Sequence, residues 1–116
     1  TSLDRSDLEA TGVDADPSDQ VVRLAALAQE SGLDGAICSP HEIAALRKRC
    51  GSEFVLMVPG IRPVGSAAND QKRAMTPRQA VDLGASHLVV GRPIYQAADP
   101  RAAAEAIARE AGINDL

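Results

Sequence analysis

Three short apolar runs, Gly35-Ala36-Ile37-Cys38, Phe54–Val58 and His87–Val90, are separated by stretches of helical periodicity. No other feature constrains the fold as much. A strand that returns to the same sheet through a helix runs parallel to its predecessor, with a right-handed crossover. Each run is almost continuously apolar, which predicts buried strands. The intervening stretches carry local start and stop signals. Pro17-Ser18 opens a helix with Val21, Leu24, Ala25 and Ala28 on one face, and Gly32 ends it. Ser39-Pro40 caps a second, with Glu42 three residues after the cap and Arg47, Lys48 and Arg49 near its end at about Cys50. Thr76-Pro77 caps a third, Arg78–Leu83, closed by Gly84, and Asp99-Pro100 starts a last one, Arg101–Ala111. Asp4–Leu8 reads as a short polar helix ahead of them.

The chain has 116 residues, 45% hydrophobic but only 2% aromatic, so its core has to be Ala, Val, Leu and Ile. That mixture suits helices packed on a parallel sheet. Three strands, with a stub at Thr1–Leu3, cannot close an eight-stranded barrel, which takes about 250 residues. The pattern fits the second half of one. The expected fold class is therefore α/β, the C-terminal half of a (β/α)8 TIM barrel with parallel strands, residues 1–116 forming one partial barrel domain.

The net charge of −4 argues against a nucleic-acid or membrane-surface role, which wants a basic face. No stretch approaches the roughly 20 apolar residues of a membrane span. Cys38 and Cys50 match no zinc spacing, and His41 and His87 lie in unrelated segments. The cysteines are expected to be reduced, buried thiols of a cytoplasmic protein.

In such a barrel the active site lies at the C-terminal ends of the strands, and phosphate is often held after strands seven and eight. If Phe54–Val58 and His87–Val90 are those strands, the relevant loops begin at Pro59 and Gly91. The first reads Pro59-Gly60-Ile61-Arg62-Pro63 and continues to Asp70-Gln71-Lys72-Arg73; the second reads Gly91-Arg92-Pro93. Glycine admits close backbone approach, and an arginine fork matches phosphate oxygens. The alternative for each arginine is a solvated loop side chain. What favours phosphate is the pairing of two such loops after neighbouring strands. Residues 61–75 form a loop long enough to close over a ligand.

Pro59-Gly60-Ile61-Arg62-Pro63, Gly65-Ser66, Asp70-Gln71-Lys72-Arg73, Met75-Thr76-Pro77 and Val90-Gly91-Arg92-Pro93-Ile94 resemble bacterial orotidine 5′-phosphate decarboxylases. Leu33-Asp34-Gly35, Cys38-Ser39 and Thr1-Ser2-Leu3 are similar to that family too, so the resemblance covers the chain in order. It implies a homodimeric (β/α)8 enzyme of de novo pyrimidine synthesis that converts orotidine 5′-monophosphate to uridine 5′-monophosphate without metal or organic cofactor. It further implies that Arg62, Gln71 and Arg92, with the Gly91 backbone, hold the phosphate. Thr1 would contact the nucleoside portion at the end of the fifth strand, Ser2 is a candidate for the pyrimidine edge, and Pro59 and Ile61 would line the pocket near the base. Some relatives carry Gln where this chain has Val64, so Gln71 has to serve.

The family's catalytic Asp-x-Lys-x-x-Asp motif has no counterpart here. The two lysines are Lys48, on a basic helix end, and Lys72, which follows Asp70 at the right offset but meets Met75 where the second Asp belongs. The motif is expected upstream of Thr1, and the chain by itself is expected to be inactive. Two other readings stay open: another phosphate-gripping barrel, such as a sugar-phosphate epimerase or decarboxylase, and a non-catalytic half-barrel that only binds phosphate ligands.

Overall fold

The computed structural model describes residues 2–66 and 74–113. Three of the six α-helices among the described residues, and one 3-10 turn, start where a short polar side chain meets a proline. Asp4 accepts the Asp7 N–H and opens α1 (Arg5–Ala10). Asp16 accepts the Ser18 N–H and Pro17 begins α2 (Pro17–Glu30). A 3-10 turn (Pro40–Glu42) leads into α3 (Ile43–Cys50), whose last turn places Arg47, Lys48 and Arg49 at the negative end of the helix dipole. Thr76 caps α4 (Pro77–Asp82), and Asp99 accepts the Ala102 N–H to cap α6 (Pro100–Ala111). Between them α5 (Arg92–Tyr95) is a single turn. No helix among the described residues is long and apolar enough to cross a membrane.

The strands β1 (Gly35–Ile37), β2 (Val55–Val58) and β3 (His87–Leu88) form one sheet in the order β1-β2-β3. Both pairings are parallel, with Ala36 opposite Leu56 and Val58 opposite Leu88. The strand–helix alternation read from the sequence is therefore present. Ser2 and Leu3, expected as a strand stub, lie in no strand and are exposed, and Thr1 lies outside the described residues.

The helices cover one face of this sheet. Leu56 and Val58 from β2 pack with Ala25, Cys38, Ile43, Leu46, Phe54, Ile61 and Ala80 in a single core. Both cysteines are free and buried, as expected. The other face is open: Ile37 is 71% exposed, Met57 39% and Val89 45%. This corrects the expectation of fully buried strands. An apolar run records that both faces want cover, whereas burial requires an element on each side, and helices lie on only one.

Two local devices fix the sheet at the N-terminal ends of its strands. Gly35 lets β1 sit against β2, since a Cβ there would stand 2.2 Å from the Val55 carbonyl oxygen. The Arg47 guanidinium reaches from α3 to the segments that precede β2 and β3. Its Nη1 donates to the carbonyls of Gly51 (2.9 Å), Ser52 (3.2 Å) and Phe54, and its Nε and Nη2 donate to that of Gly84 (2.8 and 2.7 Å). Nη2 also donates to Ser86 Oγ (2.9 Å), which in turn accepts the Leu56 N–H at 3.0 Å.

Candidate functional site at the C-terminal ends of the strands

The two arginine-bearing loops leave the sheet side by side. β2 and β3 are hydrogen-bonded neighbours, and the Val89 N–H donates to the Val58 carbonyl (2.9 Å) where they end. From there the first loop runs through Pro59 and Gly60 to Arg62, and the second through Gly91 to Arg92.

The first loop is pinned at its base. Ile61 pairs with Met75 as an isolated parallel bridge; Arg62 N–H donates to the Met75 carbonyl (2.9 Å) and Met75 N–H to the Gly60 carbonyl (3.1 Å). Gly60 takes a φ of 79°, a left-handed turn that glycine adopts without strain. His41 Nε2 lies 3.3 Å from the Ala74 carbonyl and ties the turn after β1 to the same neck. The excursion between residues 62 and 74 therefore starts and finishes at one fixed point. Gln71, Lys72 and most of this loop lie outside the described residues.

Arg62 is 7% exposed, an unusual burial for an arginine, and its Nη1 donates to the Ile61 carbonyl at 2.8 Å. Arg92 is half-buried in the first turn of α5. Pro63 and Pro93, each directly after its arginine, line one groove of about 260 Å³ with Ala103, Ile107 and Glu110 of α6. The loops thus share a wall. Gly91 is exposed at φ −110°, and a Cβ there would meet nothing nearer than the Tyr95 ring at 3.6 Å. The chain's own packing does not demand glycine at that position.

Other expected site residues fall out differently. Pro59 is half-buried at the strand end, where it has surface to offer. Ile61 is 0% exposed and packs in the core, where its backbone pairs with Met75. Ser2 is exposed, and the described segment at 2–3 is not paired to the sheet.

Ser39, a helix cap and part of the Cys38-Ser39 pair in the sequence, follows β1 at the same end of the sheet as the two loops. Its N–H donates to Glu42 Oε2 (2.8 Å) and its carbonyl accepts the Glu42 N–H (3.0 Å). Its hydroxyl is buried and faces the Glu42 N–H in a capping-box arrangement, without a well-formed hydrogen bond. Among the described residues no cluster of three His, Cys, Asp or Glu side chains is placed to hold a metal ion.

The sequence profile of the Orotidine 5'-phosphate decarboxylase / HUMPS family matches residues 1–107. The chain is 53% identical over 107 residues to an orotidine 5′-phosphate decarboxylase from Glaesserella parasuis, a match that covers 92% of this chain and 46% of that protein. It is 54% identical over 110 residues to the one from Chromohalobacter salexigens, covering 95% of this chain and 47% of the relative. The crystal structure of orotidine 5′-phosphate decarboxylase from Lactobacillus acidophilus superposes with a TM-score of 0.80 at 40% identity, over 96% of this chain and 45% of that one. The chain thus spans about half the length of the curated relatives it matches. With that profile running through both arginine-bearing loops, the chain belongs to the orotidine 5′-phosphate decarboxylase / HUMPS family.

Proposed function

We propose that this chain is the phosphate-binding, C-terminal half of an orotidine 5′-phosphate decarboxylase, a partial barrel domain over residues 1–116 from about the fifth strand to the last helix. In the complete protein it serves the removal of CO₂ from orotidine 5′-monophosphate to give uridine 5′-monophosphate. The observation that carries this reading is the placement of a buried Arg62 and a half-buried Arg92 on loops that leave adjacent parallel strands at the same end.

In the proposed site the two guanidinium groups and the Gly91 backbone grip the phosphate, with Gln71 as a further donor from the long loop. The exposed Gly91 backbone, which carries no Cβ, suits close approach of an anion. Thr1 contacts the nucleoside portion, with Ser2 beside it, and Pro59 forms part of the wall. The phosphate is remote from the carbon that loses CO₂, yet binding energy gathered there lowers the barrier when it is realised only as the transition state forms. Proton transfer to the carbanion is assigned to the Asp-x-Lys-x-x-Asp motif of the remaining half, and no cofactor is invoked. The family's homodimeric state is proposed for the complete protein, in the cytoplasm.

The test uses a complete barrel in which this chain follows the N-terminal half of a close relative. Arg92→Ala and Arg62→Ala are each expected to lower kcat/KM by about 2–4 kcal/mol of transition-state stabilisation, roughly 30- to 1000-fold. An unchanged kcat/KM would remove that arginine from the phosphate site. The isolated chain is expected to leave the absorbance of orotidine 5′-monophosphate unchanged; measurable turnover would overturn the division of labour.

A further inference from the structure

The turn after β1 carries one exposed residue on a frame that is otherwise buried. Pro40 and Glu42 are buried, and His41 between them is exposed. The turn is fixed from within. Pro40 locks its own φ, the Glu42 carboxylate accepts the Ser39 N–H (2.8 Å), and the Ser39 carbonyl accepts the Glu42 N–H (3.0 Å). The His41 backbone is therefore held in place, and only its own side-chain rotamers decide which partner the ring meets.

That partner lies 33 positions along the chain. His41 Nε2 stands 3.3 Å from the Ala74 carbonyl. A carbonyl oxygen only accepts, so the ring donates from Nε2. Ala74 lies on the returning limb of the loop after β2, directly before Met75. The Met75 carbonyl accepts the Arg62 N–H (2.9 Å), and its N–H donates to the Gly60 carbonyl (3.1 Å). Thr76 follows, and its side chain caps α4. Met75, the backbone partner of Arg62, thus sits between two ties. The helix cap fixes the residue after it, and the imidazole fixes the residue before it. Without the imidazole the limb is held, outside its own pairing with residues 60–62, on the helix side alone. Donor and acceptor both belong to this half, so the tie is complete without the rest of the barrel.

We propose that His41 is a positioning residue for the phosphate grip. It holds the returning limb so that Arg62 keeps the placement from which its guanidinium meets the phosphate, and it acts through Ala74 and Met75 rather than on the ligand. The inference rests on the functional reading above and adds to it a residue from a third strand end. An exposed hydrogen bond of this kind contributes little to global stability. Its effect falls on the geometry of the limb it ties, and so on recognition of the phosphate and not of the nucleoside.

Inhibition of the same complete barrel by uridine 5′-monophosphate, and by uridine, which lacks the phosphate, tests the proposal. His41→Phe keeps a ring and removes the donor. It is expected to weaken inhibition by the nucleotide roughly 3- to 10-fold, the scale of one exposed hydrogen bond, and to leave inhibition by uridine unchanged. His41→Ala, free of any effect of the phenyl ring, is expected to match it. His41→Gln restores an N–H donor at similar reach and is expected to stay within about twofold of the parent. Arg92→Ala is the reference for the site itself. Should it leave the nucleotide's inhibition unchanged, the phosphate reading fails and this inference with it. Should it weaken the nucleotide while His41→Phe and His41→Ala do not, only the role of His41 is overturned. Equal losses for nucleotide and uridine would overturn it as well, because they would mean a general loosening. So would a Gln variant as weak as the Phe variant, because the N–H would then not be what acts.

Discussion

Replacing Arg47 with Met removes the guanidinium and keeps most of the stem volume. Four carbonyls and the Ser86 hydroxyl then lose a charged donor. These losses are unequal. The contacts to Gly51 and Ser52 are exposed, and water can replace the donor there at little cost. Those to Phe54 and Gly84 are part-buried, where a hydrogen bond to a charged group contributes about 1.5–3 kcal/mol. Counting these two at the low end of that range, because neither is fully buried, gives a loss of about 3 kcal/mol. With a urea m-value of about 1.5 kcal/mol/M the unfolding midpoint is expected to fall by about 2 M. Arg47→Lys keeps the charge but not the fork, and is expected to fall between wild type and Met. Arg49→Met serves as the control: its pair with Glu30 is exposed on both sides, so its loss is expected to cost under about 1 kcal/mol. If Arg47→Met shifts the midpoint no further than Arg49→Met, the guanidinium does not hold these segments together.

Further outcomes can be checked in the same unfolding assay. Gly35→Ala is expected to destabilise by about 2–3 kcal/mol, since its Cβ would press on the Val55 backbone and not on a movable side chain; an unchanged midpoint would show that β1 shifts freely. Asp99→Ala removes the acceptor of the Ala102 N–H and is expected to cost about 1 kcal/mol, with a matching loss of helical signal. Burial, and then the Glu42 carboxylate, push the Cys38 thiol up to about 11 from an ordinary 9.0. The folded chain therefore holds this thiol neutral where the unfolded chain ionises it. The contribution of this thiol is expected to be constant below pH 9 and to lower stability between pH 9 and about 11, and Cys38→Val should remove that part of the slope. Equal slopes in the two proteins would count against a buried neutral thiol.

The helices were legible because their start signals are local. Asp16-Pro17, Ser39-Pro40, Thr76-Pro77 and Asp99-Pro100 each place an acceptor beside a proline, and a helix or helical turn begins at every one. Strand burial was not legible. Ile37, Met57 and Val89 are as apolar as Leu56 and Val58, and only the position of the helices decides which set is covered. In the candidate site, the loops that carry Arg62 and Arg92 were legible because glycine and arginine after an apolar run form a pattern along the chain. Ile61 belongs to the same motif, yet it packs in the core, where its backbone pairs with Met75, fourteen positions away. At Ser39 the cap was legible: its N–H donates to the Glu42 carboxylate and its own carbonyl accepts the Glu42 N–H.

The bridge between Ile61 and Met75 has a bearing on how this loop can diverge. Because both ends of the excursion are tied to one spot, its length is decoupled from the packing beneath. Doubling a flexible loop adds only about 0.6 kcal/mol of closure entropy. Insertions and deletions between the two anchors can therefore accumulate at modest cost while Arg62, just inside the first anchor, keeps its place. The arrangement separates the buried Arg62 from the length of the loop that follows it.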